Sequence, residues 1–280
     1  MEHLVIKNEN EAYIRIHCSD SVAWELRDAF SFRPQGFQFV PSYKQKIWDG
    51  YIRMFNPLTR QCLRGLVPLI ADWCKTQGYT YEYDDYDTNI SLEEANEFVK
   101  ELNPKHQPRD YQMESFVHCI RSRRKIVLSP TGSGKSLLLY LISMYLMKQG
   151  KRGIIIVPRS QLVEQMYSDF EDYSVNNKKN MAKYCHRIYT GKEKNTGMPI
   201  VITTWQSLQN LPKVWFEQFD YVICDEVHGA IENKSSMKVI SKVVSNMTNA
   251  SFRVGVTGTL PKLPGAEMSL VGLFGSIYKA

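Results

Sequence analysis

The sequence predicts an α/β protein in which a parallel sheet is preceded by a smaller α/β domain. From Arg109 onward, short runs of β-branched residues alternate with stretches of helical spacing. This alternation is typical of βαβ units, whose strands run parallel and whose ligands bind at the carboxyl ends of the strands. Residues 1–88 show a different pattern, and 280 residues are enough for two domains.

The first 88 residues combine a hairpin pattern with two helices. Leu4–Ile6 and Tyr13–His17 alternate apolar and polar residues around the polar turn Asn8–Glu11, which predicts a β-hairpin. Capping residues and apolar spacing predict helices over Val22–Phe30 and Leu66–Gln77, the second of which Gly78 stops. We expect further strands at Gly36–Val40, Gly50–Phe55 and Tyr79–Tyr83.

Residues 89–107 read as an acidic linker. Ser91 is placed to cap a short helix that ends at Leu102, and Pro104 and Pro108 mark a boundary. The second domain then covers residues 108–280. Its predicted strands and helices are Lys125–Ser129, Ser136–Lys148, Gly153–Val157, Gln161–Tyr173, Pro199–Thr203, Tyr221–Cys224 and Phe252–Thr257.

Charge and composition narrow the class of protein. The net charge is +6, but residues 1–100 hold 11 Lys+Arg against 15 Asp+Glu, so the excess of positive charge lies in residues 101–280. A basic balance suits a polyanion such as nucleic acid, although many basic proteins bind none. No signal sequence or apolar run of about 20 residues appears. The six cysteines lack Cys-x-x-Cys spacing. We therefore expect a soluble cytoplasmic protein with reduced thiols.

The residues from Ser129 to Ser136 form a candidate phosphate-binding loop. They follow a predicted strand and open an apolar helix, which is the context that such a loop requires. Backbone N–H groups of Thr131, Gly132, Ser133 and Gly134 can surround the phosphates of ATP. Lys135 is expected to reach the β- and γ-phosphates, and the hydroxyl of Ser136 to bind Mg²⁺. The general pattern begins with glycine, where this sequence has Ser129.

A pair of acidic residues ends another apolar strand. Asp225 and Glu226 follow Tyr221–Cys224, at the end where parallel strands present their ligands. Such a pair is often only a helix cap. Together with the Lys135 loop, it predicts that Asp225 holds Mg²⁺ and that Glu226 deprotonates the attacking water.

Five segments in a fixed order make residues 109–260 resemble the superfamily-two helicases of DExH type. Arg109-Asp-Tyr-Gln112 resembles the family's adenine-reading motif, and Asp225–His228 spells DEVH. The resemblance implies a P-loop RecA-like domain. It also implies that His228, Thr257 and Thr259 couple hydrolysis to motion. In Pro158–Leu162 and Thr203–Leu208, it implies nucleic-acid backbone contacts by Arg159, Ser160, Thr204 and Gln206.

A likeness to the phage UvsW-type helicases spans nearly the whole chain. It rests on Glu25–Phe32, Trp48–Arg53, Trp205-Gln206, Trp215–Phe219 and Gly272–Gly275. The likeness implies unwinding or branch migration of branched or single-stranded DNA in recombination, repair or at stalled forks, with recombination or replication proteins as possible partners. Family members carry an arginine finger on a second RecA-like domain. Residues after Thr259 do not supply one, so we expect a first half with little turnover.

The N-terminal domain interleaves basic and aromatic residues. This pattern suits DNA contacts by Lys46 and Arg53, although a solvated rim around a core fits equally well. Trp24 and Trp48 are expected in the core. Arg253 and Lys262 are poor substitutes for an arginine finger because they lie on the same lobe as the phosphate loop.

Four alternatives remain open from the residues alone. They are an RNA track, a restriction-type motor subunit, a small-molecule kinase, and a module that binds DNA and ATP without turnover.

Overall fold

The structure is a computed structural model that describes residues 2–84, 88–130, 132–189, 192–227, 234–260 and 265–280. Residues 2–84 form a small α/β unit. In chain order its elements are β1 (His3–Asn8), β2 (Tyr13–His17), α1 (Asp20–Ala29), β3 (Ser31–Phe32), α2 (Pro41–Lys44), β4 (Ile52–Arg53), β5 (Phe55–Asn56), β6 (Gln61–Leu63), α3 (Val67–Gln77) and β7 (Thr80–Tyr83).

The five-stranded sheet of this unit has the order β5-β6-β2-β1-β7. The predicted hairpin is confirmed, because β1 pairs antiparallel with β2. Both predicted helices and the last strand are also confirmed, and Gly78 ends α3 in the left-handed conformation at φ 71. Apolar side chains of α1 and α3 pack with those of the strands into one core, which includes Leu4, Ile16, Leu26 and Ile70.

Two strand predictions in this unit were wrong or incomplete. Gly36–Val40 is not a strand, because Gly36 is left-handed at φ 66 and a 3₁₀ turn follows over Phe37–Phe39. The predicted strand Gly50–Phe55 divides into two strands with different partners: β4 pairs with β3, whereas β5 pairs with β6.

Trp24 does not lie in the core, contrary to the prediction. The buried side of α1 consists of Val22, Ala23 and Leu26, so Trp24 points outward and is 44% exposed. Its ring carries the guanidinium of Arg27 at 4.4 Å. Trp48 is only partly buried, and its indole N–H donates to the carbonyl of Tyr51 at 2.8 Å.

A larger α/β unit follows. Its elements are α4 (Leu92–Leu102), α5 (Asp110–Ser122), β8 (Arg124–Leu128), α6 (Lys135–Lys148), β9 (Gly153–Val157), α7 (Ser160–Tyr173), β10 (Cys185–Ile188), β11 (Ile200–Thr204), α8 (Trp205–Leu208), α9 (Lys213–Phe216), β12 (Tyr221–Asp225), α10 (Lys234–Ser245), β13 (Phe252–Thr257), α11 (Ala266–Phe274) and β14 (Ser276–Lys279). Each strand and helix predicted here is confirmed to within one residue at either end.

The seven strands of this unit form one sheet in the order β10-β11-β9-β12-β13-β8-β14. All six strand pairs are parallel. Leu128 lies level with Thr257, and Val157 lies level with Thr204. The carboxyl ends of the strands therefore meet at one edge, which confirms the predicted α/β architecture.

Helices cover both faces of this sheet. The helices α4 to α7 contribute to the apolar core on one face, and α8, α10 and α11 contribute to the core on the other. The predicted cap of α4 is confirmed, because Ser91 accepts from the N–H of Glu94 while the Glu94 carboxylate accepts from the N–H of Ser91. Phe98 and Leu102 of α4 are buried in the main core. The boundaries at residues 88 and 107 stay predictions.

The two units pack closely through α11. An added Cβ at Gly65 would lie 2.1 Å from the carbonyl oxygen of Val271, so only glycine allows this approach. Glu11 bridges the units, since its carboxylate accepts from Arg64 at 2.6 Å and from Arg124 at 2.7 Å. Burial, and secondarily the charge of Arg64, lowers the pKa of Arg124 to about 10.

Arg253 is a structural residue. It is 1% exposed, and its guanidinium donates to the carbonyl oxygen of Val244 in α10 and to those of Met247 and Ala250 just after this helix. Lys262 lies outside the described residues. Among the residues that the structure describes, none of the helices has the length and apolar character to cross a membrane. All six cysteines are free thiols, as predicted.

Candidate nucleotide site and strand-end surface

The loop between β8 and α6 closes on itself through serine hydroxyls. The hydroxyl of Ser133 donates to the carbonyl of Pro130 at 2.7 Å and lies 2.7 Å from the hydroxyl of Ser129. Ser129, the departure from the general pattern, therefore braces the loop. Gly132 and Gly134 have φ values of 80 and 75, which are conformations that favour glycine. Thr131 lies outside the described residues.

Gln112 holds this loop from the side. Its amide nitrogen donates to the carbonyls of Ser133 at 2.9 Å and Gly134 at 3.0 Å, and its amide oxygen accepts from the N–H of Arg109 at 2.8 Å. The hydroxyl of Tyr111 adds a bond to the carbonyl of Ser133 at 2.7 Å. Residues 109–112 thus support the loop, with the Arg109 side chain exposed beside it.

The loop meets the acidic pair at the neighbouring strand end. The ammonium of Lys135 lies 2.5 Å from Oε1 of Glu226, and these side chains are 11% and 27% exposed. Glu226 has a left-handed backbone at φ 50, and its N–H donates to the Asp225 carboxylate at 3.0 Å. Residues that are 91 positions apart in the sequence therefore share one site.

The hydroxyl of Ser136 faces α7. It lies 2.7 Å from the hydroxyl of Tyr173, and Asp169 lies nearby, one turn earlier in α7. Burial raises the pKa of Asp169, and the Ser136 hydroxyl opposes this rise. Sequence reasoning missed Asp169, Tyr173 and Tyr111. Tyr111 lies inside a motif, but no local pattern marks Asp169 or Tyr173 as neighbours of the loop.

The donor set at this site fits Mg²⁺. Ser136 supplies a hydroxyl oxygen and Asp225 a carboxylate oxygen, and hard oxygen donors are what Mg²⁺ prefers. An added Cβ at Gly134 would lie 2.5 Å from the Gln112 amide nitrogen, so the Gln112 side chain would have to move away from the loop.

The end of β13 adjoins the same loop. The carbonyl of Thr257 accepts from the N–H of Ser129 at 2.9 Å, and its hydroxyl donates to the carbonyl of Thr259 at 2.8 Å. The N–H of Val227 donates to the carbonyl of Val256 at 3.1 Å. Thr257 thus links β13 directly to the phosphate loop. His228 lies outside the described residues.

The segments expected to face nucleic acid lie side by side. The strands β9 and β11 are neighbours, and the amide nitrogen of Gln206 lies 3.5 Å from the carbonyl of Pro158. Arg159, Ser160 and Gln206 are exposed. Thr204 is 5% exposed and its hydroxyl bonds Ser207 at 3.0 Å, so this side chain is turned inward.

The two basic residues expected to extend this surface lie in the N-terminal unit. Lys46 is exposed, with φ 58. Arg53 on β4 forms an ion pair with Asp49 and lies over the ring of Tyr51 at 5.7 Å. Its hydrogen bonds to Asp49 hold the pKa of that carboxyl at about 2.

Comparison with known proteins resolves the family. The family described as Type III restriction enzyme, res subunit, matches residues 105–262, and the family described as DNA helicase UvsW, N-terminal, matches residues 4–96. The crystal structure of the UvsW helicase from bacteriophage T4 has a TM-score of 0.88 and 30% identity, over 99% of this chain and 100% of that one. This chain belongs to the UvsW-type superfamily-two helicases.

Three further comparisons show how far this likeness extends. The ATP-dependent DNA helicase UvsW of Enterobacteria phage T4 is 33% identical over 96% of this chain, which spans 54% of that helicase's length. Reverse gyrase of Methanocaldococcus jannaschii is 31% identical over 58% of this chain and 11% of its own length. The Hef helicase domain of Pyrococcus furiosus, with a TM-score of 0.51 and 19% identity over 62% of this chain and 38% of that one, shares the fold.

Proposed function

We propose that this chain supplies the N-terminal and ATP-binding parts of an ATP-dependent DNA helicase that acts on branched DNA. Its substrates would be recombination, repair or stalled-fork intermediates, which it would unwind or branch-migrate in the cytoplasm of a host cell. The contact between Lys135 and Glu226 carries the proposal, because it brings the phosphate loop and the DEVH acid into one site. The relatives that match include proteins named ATP-dependent DNA helicases.

Each site residue would have its own role in binding or hydrolysing ATP. The ammonium of Lys135 would leave Glu226 and bind the phosphates, and the backbone N–H groups of residues 131–134 would surround these phosphates. Arg109 is exposed next to the loop and would contact adenine, whereas Gln112 would act mainly by fixing the loop. Ser136 and Asp225 would hold Mg²⁺, which neutralises phosphate charge when bound. Glu226, released from Lys135, would accept the proton of the attacking water.

The coupling residues surround the same loop. Thr257 bonds both Ser129 and Thr259, so a movement of the phosphate loop would reach the end of β13. His228 would join them from the DEVH segment. Coupling to motion would also involve a second lobe, which supplies the arginine finger in such motors. An arginine finger contributes roughly 10³- to 10⁵-fold to turnover in related phosphoryl transfers.

The bound DNA would lie along the residues that follow β9 and β11. Arg159, Ser160 and Gln206 are exposed there and would contact backbone phosphates. Thr204 would contribute through its backbone, because its hydroxyl is used by Ser207. Lys46 and Arg53 would extend the path onto the N-terminal domain, proposed as residues 1–88, with 89–107 joining it to the ATP-binding domain 108–280. Recombination or replication proteins would be the partners.

DNA-stimulated phosphate release tests the proposal. We expect phosphate release to rise when forked DNA is added, and Glu226→Gln to abolish it while binding of a fluorescent ATP analogue persists. Glu217→Gln on the surface is the matched control. Stimulation by RNA but not DNA would favour an RNA helicase. Binding without stimulated release would favour a DNA- and ATP-binding module, and normal release by Glu226→Gln would refute the role of Glu226.

A further inference from the structure

Two residues outside every motif lie beside Ser136, the second residue of α6. Tyr173 and Asp169 lie in the last turns of α7; Tyr173 hydrogen-bonds the hydroxyl of Ser136, and that hydroxyl lowers the pKa of the Asp169 carboxyl. The Ser136 hydroxyl lies 2.7 Å from that of Tyr173. Ser136 follows Lys135 directly, so a contact with its side chain lies at the end of the phosphate loop.

The hydroxyl of Tyr173 is held in place by its surroundings. The carbonyl of Tyr173 accepts from the N–H of Lys105 at 3.0 Å. Its ring lies edge-on to Tyr140 at 5.6 Å and to His106 at 5.9 Å. The adjacent Asp172 pairs with Lys105 and, at 3.0 Å, with His106. A residue braced from two segments gives Ser136 a fixed partner rather than a mobile one.

The O–H bond of a serine rotates freely unless hydrogen-bond partners fix its orientation. A carboxylate only accepts, so a proton donated by Ser136 to Asp169 would leave Tyr173 to donate its own proton to Ser136. This chain of two bonds leaves one lone pair of the Ser136 oxygen for another partner. Hydrogen bonds to a metal ligand orient it and strengthen its binding of the ion.

We propose that Tyr173 and Asp169 are positioning residues that orient the Ser136 hydroxyl toward the divalent cation bound with the nucleotide. The inference rests on the proposed function, since it concerns the same nucleotide site. Asp169 is partly buried, where a carboxylate is costly to keep, and the Ser136 hydroxyl offsets part of that cost. The two residues would act through Ser136 and not on the nucleotide or the reacting atoms directly.

Nucleotide binding with and without Mg²⁺ tests this inference without measuring turnover. The affinity of the whole chain for a fluorescent ATP analogue is measured across a Mg²⁺ titration and again in EDTA. We expect Tyr173→Phe and Asp169→Ala each to raise the Mg²⁺ concentration for half-maximal binding about three- to tenfold, the range of one hydrogen bond. Affinity in EDTA should not change, and Asp169→Asn, which still accepts, should lose less.

The control is Tyr167→Phe, which removes the same atom from the same helix. Tyr167 lies under the guanidinium of Arg187 at 3.9 Å and not against Ser136, so its Mg²⁺ dependence should match the unmodified chain. Equal Mg²⁺ dependence in Tyr173→Phe and the unmodified chain, or tighter Mg²⁺ binding in the variant, would overturn the inference. Loss of affinity in EDTA as well would reduce Tyr173 to a packing role. If the unmodified chain bound no nucleotide, the proposed function itself would fail.

Discussion

The guanidinium of Arg124 donates to two oxygens of Glu11, the backbone carbonyl at 2.6 Å and one carboxylate oxygen at 2.7 Å. Arg124 begins β8, the strand that leads into the phosphate loop, whereas Glu11 lies in the hairpin turn between β1 and β2. The same carboxylate accepts from Arg64. One acidic side chain thus joins the N-terminal unit to the strand that leads into the ATP site.

Removing this carboxylate should destabilise the whole chain. In Glu11→Ala, Arg64 and Arg124 lose a shared partner while their side chains stay 7% and 11% exposed. We expect a loss of about 3–5 kcal/mol in the free energy of unfolding, measured by urea denaturation. The control Asp72→Ala breaks an exposed pair with Lys75 and should cost less than about 1 kcal/mol. Equal losses would contradict the bridge.

Lys135→Ala should remove most of the affinity for ATP, because the cation that faces the phosphates is lost. Binding of a fluorescent ATP analogue measures this. Lys148→Ala is the matched control: it lies at the other end of the same helix and pairs with Glu101 at the surface, so binding should be unchanged. If Lys135→Ala bound nucleotide normally, the phosphate-loop assignment would be wrong.

Gly134→Ala should weaken nucleotide binding by pushing Gln112 away from the loop. The added Cβ would lie 2.5 Å from the Gln112 amide nitrogen. Gly150→Ala is a control with nearly the same φ, 73 against 75, but with nothing within 4 Å of its added Cβ. Both variants should lose roughly 1 kcal/mol of stability from backbone strain. Only Gly134→Ala should lose affinity for ATP; equal affinities would show that the Gln112 contact is unimportant.

Arg159→Ala should lower affinity for DNA and reduce its salt dependence. A phosphate contact contributes a slope of about one in log K against log salt and little sequence preference. Fluorescence anisotropy at several salt concentrations measures both quantities. Lys213→Ala, an exposed cation at the start of α9, provides the comparison. An unchanged slope in Arg159→Ala would remove this residue from the track.

Lys46→Glu tests whether the N-terminal unit reads branched DNA. We expect a larger loss of affinity for a forked duplex than for a plain single strand, because Lys46 would contact only the branched substrate. Lys75→Glu makes the same charge change on an exposed helix of the same unit. If both variants lost affinity equally on both substrates, the unit would give only general electrostatic help.

Local signals in the sequence determined most of the ATP-binding unit. Runs of apolar residues marked strands such as Gly153–Val157, and the glycines and the acidic pair marked strand ends. These features depend on neighbouring residues, so a single sequence reveals them. The strand predicted at Gly36–Val40 was wrong. There the left-handed Gly36 and the following Pro41 outweighed the apolar pattern.

Only the tertiary structure could show which distant side chains meet. Tyr173 contacts Ser136 because α7 packs against α6, and Glu11 meets Arg124 because the two units pack together. Trp24 faces solvent because the remaining apolar residues of α1 fill the core. Periodicity tells which side of an element is apolar, but the partner of each polar atom depends on how the elements pack. Local motifs in the sequence therefore predict the candidate ATP site, whereas the hydrogen bonds around it depend on the fold.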